Sequence, residues 1–100
     1  MAHPSTVLLV RFKSSLSLED VLRVANERID QFRAIPGLLQ KYYLQDPESG
    51  DVAGLYLWDS PESLREFGTS ALRASIPDAY EIEGTPRIEQ YQVEVVLRPE

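Results

Sequence analysis

Apolar residues recur along this chain with two periods, and the changes of period mark out its elements. Residues 7–13, Val7-Leu-Leu-Val-Arg-Phe-Lys13, are β-branched or large and apolar on both alternating faces, which predicts a strand covered on two sides. Ser17 then offers a capping hydroxyl with Asp20 three residues on, and Leu18, Val21, Leu22, Ala25, Ile29 and Phe32 follow helical spacing along one stripe. That stripe predicts one helix of about four turns, stopped by Pro36-Gly37. Residues 39–45 and 52–58 are strand-like runs around the turn-forming segment Asp46-Pro-Glu-Ser-Gly-Asp51, which reads as a β-hairpin. Ser60-Pro61-Glu62 starts a second helix with its apolar face at Leu64, Phe67, Ala71 and Leu72; Gly68, costing about 1 kcal/mol relative to alanine, is a point where it can split. Residues 77–86 read as a polar connection, long enough to be a lid or contact segment. Residues 88–97 read as a final strand with Tyr91, Val93, Val95 and Leu97 on one face.

The order β-α-β-β-α-β, without internal repeats, predicts an α+β ferredoxin-like sandwich with a four-stranded antiparallel sheet. Two helices cover one face of such a sheet. Because several strands are apolar on both faces, the second face asks for a cover, and a homodimer with its two sheets packed together, a dimeric α/β barrel, supplies one. A chain of 100 residues is one domain's length, so residues 1–100 are expected to form a single domain.

Charge and composition narrow the chemistry. Sixteen acidic side chains against ten basic give a net charge of -6, which argues against nucleic acid and anionic membrane surfaces as partners. The chain has no cysteine, which removes disulfides, thiolate metal sites and Cys nucleophiles. The longest aliphatic run near the N-terminus, residues 7–10, is too short for a signal peptide or a membrane span, so a cytoplasmic protein is expected. His3 is the only histidine and cannot complete a triad from a terminal position; Asp78, Glu81 and Glu83 lack the spacing of a calcium loop; Gly68-Thr69-Ser70 lacks the lysine of a phosphate loop. No metal site or cofactor is expected.

The hairpin supplies the candidate site. Pairing Gln45 with Val52 sets Tyr43 opposite Gly54, Lys41 opposite Tyr56 and Leu39 opposite Trp58. One face then collects Leu39, Lys41, Tyr43, Tyr56 and Trp58, and the other Gln40, Tyr42, Leu44, Ala53, Leu55 and Leu57. The aliphatic set is expected beneath the helices. The aromatic set is expected to line a semi-polar hollow between two sheets, with Gly54 leaving room for a flat ligand. Lys41 in such a cavity would lose charge by desolvation and serve as a base or anion anchor, or else snorkel outward at an edge. Arg11 interrupts an apolar strand and is a candidate for a substrate carboxylate or a partner-subunit acid.

The stretches Ile35-Pro-Gly-Leu-Leu-Gln-Lys-Tyr-Tyr43 and Ala53-Gly-Leu-Tyr-Leu-Trp-Asp-Ser-Pro-Glu-Ser63, continuing through Leu64 and Phe67, resemble the small YdhR-type proteins grouped with the antibiotic-biosynthesis monooxygenases of the dimeric α/β barrel superfamily. The resemblance implies a pocket tryptophan at Trp58. It also implies an asparagine upstream, at position 54 if four residues before the tryptophan, where this chain has glycine. The haem-degrading branch needs a histidine on the second helix, which is absent here. The function expected is therefore a cofactor-independent monooxygenase acting with O₂ on a small aromatic substrate, with Lys41 and Tyr43 as catalytic groups and Trp58, Tyr56, Leu39 and Arg11 as binding groups. The alternatives are a non-catalytic small-molecule-binding dimer, or an isomerase or decarboxylase of the same barrel type.

Overall fold

In the computed structural model, which describes residues 3–98, β1 (Thr6–Ser14) and β3 (Val52–Trp58) are the central strands, and their buried positions alternate. β2 (Leu38–Gln45) and β4 (Ile82–Gln92) take the edges, giving an antiparallel sheet in the order β2-β3-β1-β4. Between β1 and β2 lie α1 (Leu18–Glu27) and α2 (Ile29–Arg33); between β3 and β4 lie α3 (Pro61–Gly68), α4 (Ala71–Ala74) and α5 (Ile76–Ala79). This is the expected α+β ferredoxin-like fold.

The caps form where hydroxyls precede apolar periodicity. Ser17 Oγ accepts from the Asp20 N–H at 3.2 Å, and Ser60 Oγ from the Ser63 N–H at 3.2 Å. The first helical stretch is not continuous. It leaves helical geometry at Arg28 (φ -105°, ψ 2°), and the new direction presses Phe32 into the core while Arg28 Nη2 donates to Ser75 Oγ at 2.5 Å. The second stretch divides after Gly68, and Ser70 caps a further turn by accepting from the Arg73 N–H.

Residues 77–86 are not the expected polar connection. They hold most of α5 and the first half of β4, whose pairing begins at Ser14 with Ile82. An edge strand need not be apolar, so Glu83, Thr85 and Arg87 carried no strand signal; Gly84 (φ +70°) and Pro86 sit where the β1–β4 register shifts. The strand expected at residues 88–97 ends instead at Gln92. β1 starts at Thr6, and the Val93 N–H donates to the Ser5 carbonyl just past the end of the ladder. Val95 and Leu97 are consequently 82% exposed.

The hairpin register is the expected one from Gln45–Val52 through Lys41–Tyr56. At its far end Leu38, not Leu39, faces Trp58, and Leu39 is the extra residue of a bulge. The helix-covered face is the reverse of the expected one. Beneath the helices lie Val52, Gly54, Tyr56 and Trp58 with Leu8 and Val10, whereas Ala53, Leu55 and Leu57 point to the open face. The reason lies in the helices: Phe32 packs its ring at a tilt against Tyr56, and Phe67 against both Tyr56 and Trp58, at centroid distances of 5.4 to 6.5 Å. The short helical turns leave a thick gap that large rings fill better than aliphatic side chains do.

Gly37, at the entry to β2, has φ +81°, and a Cβ there would stand 2.1 Å from Ser63 Oγ. Its carbonyl also accepts from the Asp59 N–H at 2.9 Å, tying the α2 exit to the end of β3. Gly37→Ala is expected to destabilise the fold by about 2 kcal/mol or more, read as a drop in denaturation midpoint at unchanged m-value.

Candidate functional site

Between the helix layer and the sheet, inside one chain, is a cavity of about 240 Å³. A dry cavity of about 150 Å³ already holds benzene, so this one has room for a larger flat molecule. Its apolar wall includes Val10 and Val21, and its polar side is formed by Lys41, Tyr43, Tyr56 and Tyr80. Gly54 forms part of the wall: a Cβ there would meet Tyr56 Cε1 at 3.0 Å and Lys41 Cε at 3.2 Å. The missing side chain is what lets Lys41 lie across the strand.

Of the residues named from sequence, Lys41, Tyr43 and Tyr56 meet in this cavity. Trp58 does not line it. Fully buried, it stacks behind Tyr56 at 6.0 Å between ring centroids, with planes 5° apart. Leu39, pushed out by the bulge, faces a separate outer groove of about 270 Å³, on which Lys41 and Tyr43 also border. Arg11 is on the opposite face of the sheet. There its Nη2 donates to Asp46 Oδ2 at 2.7 Å and its Nε to Asp51 Oδ2 at 3.1 Å, so it fastens the β2–β3 turn to β1. The aromatic set expected in a hollow between two sheets lies instead under the helices, because its face turns toward Phe32 and Phe67.

Two participants escaped the sequence reading. Tyr80, expected in a connection, is 3% exposed, lines the cavity, and has an Oη without a hydrogen-bond partner. A buried, unpartnered phenol is costly. Arg28, which looked like one more polar position on an amphipathic helix, lies at the helix break with its guanidinium carbon 5.9 Å from the Phe32 ring centroid. The proline-like signal that would have marked that break is absent from the sequence.

Electrostatics separates the polar groups by role. Lys41 Nζ stands over the rings of Phe32, Tyr43 and Tyr56, at 3.7, 4.4 and 4.5 Å from their centroids. Burial, followed by the positive charge of Arg28, brings its pKa down to about 7. The ring faces favour the charged form and return part of that penalty, but no carboxylate among the described residues pairs with Lys41 to reverse it. Desolvation raises Tyr43 and Tyr56, and pushes Tyr80 up to about 12, with Tyr43 adding to the last two. At neutral pH the phenols therefore remain protonated donors, and the amine is the group poised to exchange a proton.

A lysine whose pKa falls on folding costs stability fully below the folded value, and the cost fades as pH rises toward the unfolded value near 10.5. Lys41→Met is accordingly expected to melt above the unsubstituted protein at pH 6, with the difference closing by about pH 10, in thermal scans across that range.

No family model and no curated protein matches this chain. Solved structures do. A monooxygenase from the gene ActVA-Orf6 of Streptomyces coelicolor, determined with nanaomycin D, superimposes with TM-score 0.76 at 19% identity, over 97% of this chain and 94% of that one. SnoaB, a cofactor-independent oxygenase from Streptomyces nogalater, gives TM-score 0.76 at 12% identity, over 97% and 100%. The protein NE2512 of Nitrosomonas europaea, whose function is unknown, gives 0.76 at 12% identity, over 100% and 99%. The likeness establishes a fold shared with these oxygenases, and a fold by itself does not select a reaction.

Proposed function

We propose that the protein is a cofactor-independent monooxygenase for a small electron-rich aromatic substrate of the anthrone or hydroquinone type. The observation that carries this reading is the presence, on the lining of one mostly apolar pocket, of an amine with a pKa near 7 and a tyrosine whose buried hydroxyl lacks a partner. The fold shared with two oxygenases, one of them determined in complex with nanaomycin D, supports it.

The chemistry asked of the chain is modest. The ring of the substrate lies against the cavity wall, and neutral Lys41 takes the acidic proton, leaving a delocalised anion. Tyr80 and Tyr43 donate hydrogen bonds to the developing oxyanion. That anion passes an electron to O₂; the resulting radicals combine at carbon to a peroxide, which loses water to leave a carbonyl. An activated CH₂ and O₂ thus become C=O and H₂O, with no external reductant. Excluding bulk water protects the radical pair.

A second reading, ligand binding without turnover, is favoured by Gly54, which stands where the sequence resemblance implies an asparagine and faces the cavity. Oxygen consumption separates the two. Metal-free protein with an anthrone should consume O₂ with kcat/KM rising through about pH 7 and then levelling, as Lys41 becomes the free amine. Lys41→Met should lower the rate about 10²-fold, and Tyr80→Phe about tenfold. Absence of uptake, with the ligand bound, would leave the binding module.

The open sheet face supports a homodimer. Val7, Leu9, Leu55 and Leu57 form an aliphatic centre there, flanked by the exposed Tyr42, Leu44 and Tyr91, and a second copy is self-complementary to such a surface. Sedimentation at micromolar concentration is expected to give a dimer, converted by Leu55→Asp to a monomer that retains the cavity.

A further inference from the structure

The environment of Lys41 is more specific than a general base requires. Its Nζ is enclosed by three rings, and among the described residues it has neither a carboxylate nor a hydrogen-bond acceptor as partner. The ring faces attract the ammonium but offer its three N–H donors no oxygen or nitrogen acceptor, and a neutral amine makes fewer demands. Lys41 also lines the mostly apolar cavity of about 240 Å³, which Tyr80 borders from the helix side. Burial in an apolar pocket and a neighbouring cation are the two conditions that turn a lysine into a nucleophile, and both act here, through the cavity wall and Arg28.

We propose that Lys41 captures a small aromatic aldehyde or ketone in this cavity as a Schiff base. The inference rests on the cavity being the ligand site described above, and it names the functional group that the ligand carries. The Nζ electron pair forms a bond to the carbonyl carbon while the C=O π pair moves to oxygen, and a proton passes from nitrogen to that oxygen. The carbinolamine then expels water as the C=N bond forms. One water leaves, and nothing is oxidised or reduced. Tyr80, donating to the carbonyl oxygen, would make the carbon more electrophilic and assist its departure as water. The apolar wall formed by Val10, Val21 and Ile76 fits the ring.

The chain contains its own control, since its two lysines are Lys41 and Lys13, and Lys13 is exposed and paired with Asp51 at 3.0 Å. Benzaldehyde with sodium cyanoborohydride at pH 7, followed by intact-mass analysis and peptide mapping, should place a benzyl group on Lys41 about tenfold faster than on Lys13 or more. Toluene, which fills the cavity but has no carbonyl, should slow labelling of Lys41 and leave Lys13 unaffected. Lys41→Met should lose the fast label with its circular dichroism intact; if that variant unfolds, the toluene competition on the unsubstituted protein decides. Equal labelling of the two lysines, or indifference to toluene, overturns the proposal. Oxygen uptake from an anthrone without a fast label overturns it while leaving the oxygenase reading in place; a fast label without uptake supports it and removes the oxygenase reading.

Discussion

The ring cluster of Phe32, Tyr56, Trp58 and Phe67 is the contact on which the rest of this structure depends. Phe67 alone approaches three of its neighbours, at centroid distances of 6.3, 5.5 and 5.4 Å to Phe32, Tyr56 and Trp58. The helical pieces are too short to hold themselves together, and α4 and α5 are single turns of four residues. Rings that project far from both layers clamp them together while holding them apart. The cluster fills one end of the gap between helices and sheet, and the gap continues as the cavity at the other end. Packing and binding site are two parts of one layer, and Tyr56 belongs to both.

That continuity explains the positions of the polar groups. Lys41 and Tyr43 come from an edge strand, where a long side chain can curl inward over Gly54 without opposing a neighbouring strand on its far side. Tyr80 enters from the opposite direction, at the end of α5, with its ring 5.8 Å from Phe12 and its carbonyl accepting from Ser14 Oγ. Arg28 stands at the helix break, and its positive charge adds to desolvation in lowering the Lys41 pKa. Three segments far apart in sequence thus supply one amine and its surrounding phenols.

Much of this was legible in the residues. Strand periodicity, the serine caps and the Pro36-Gly37 corner located the elements, and the turn at residues 46–51 fixed the hairpin pairing that brings Lys41, Tyr43 and Tyr56 onto one face. What alternation could not reveal is which of two apolar faces receives the helices, since both β1 and β3 are apolar on each side. That choice follows from ring-to-ring volume matching with Phe32 and Phe67, a tertiary property. The start of β4 was hidden for a different reason: an edge strand exposed to water has no need of hydrophobic residues, and its polar half looked like a loop. The bulge at Leu39 and the break at Arg28 leave no composition signal at all.

Gly54 places a restriction on how this pocket can diverge. At an aliphatic wall position such as Val10 or Val21, exchanging one side chain for another adjusts the shape of the cavity in small steps. At position 54 the first carbon added meets the stem of the amine and the ring beside it, so enlarging that residue displaces the reactive nitrogen as well as narrowing the chamber. The capacity of the chamber and the position of the amine are therefore coupled through a single backbone position.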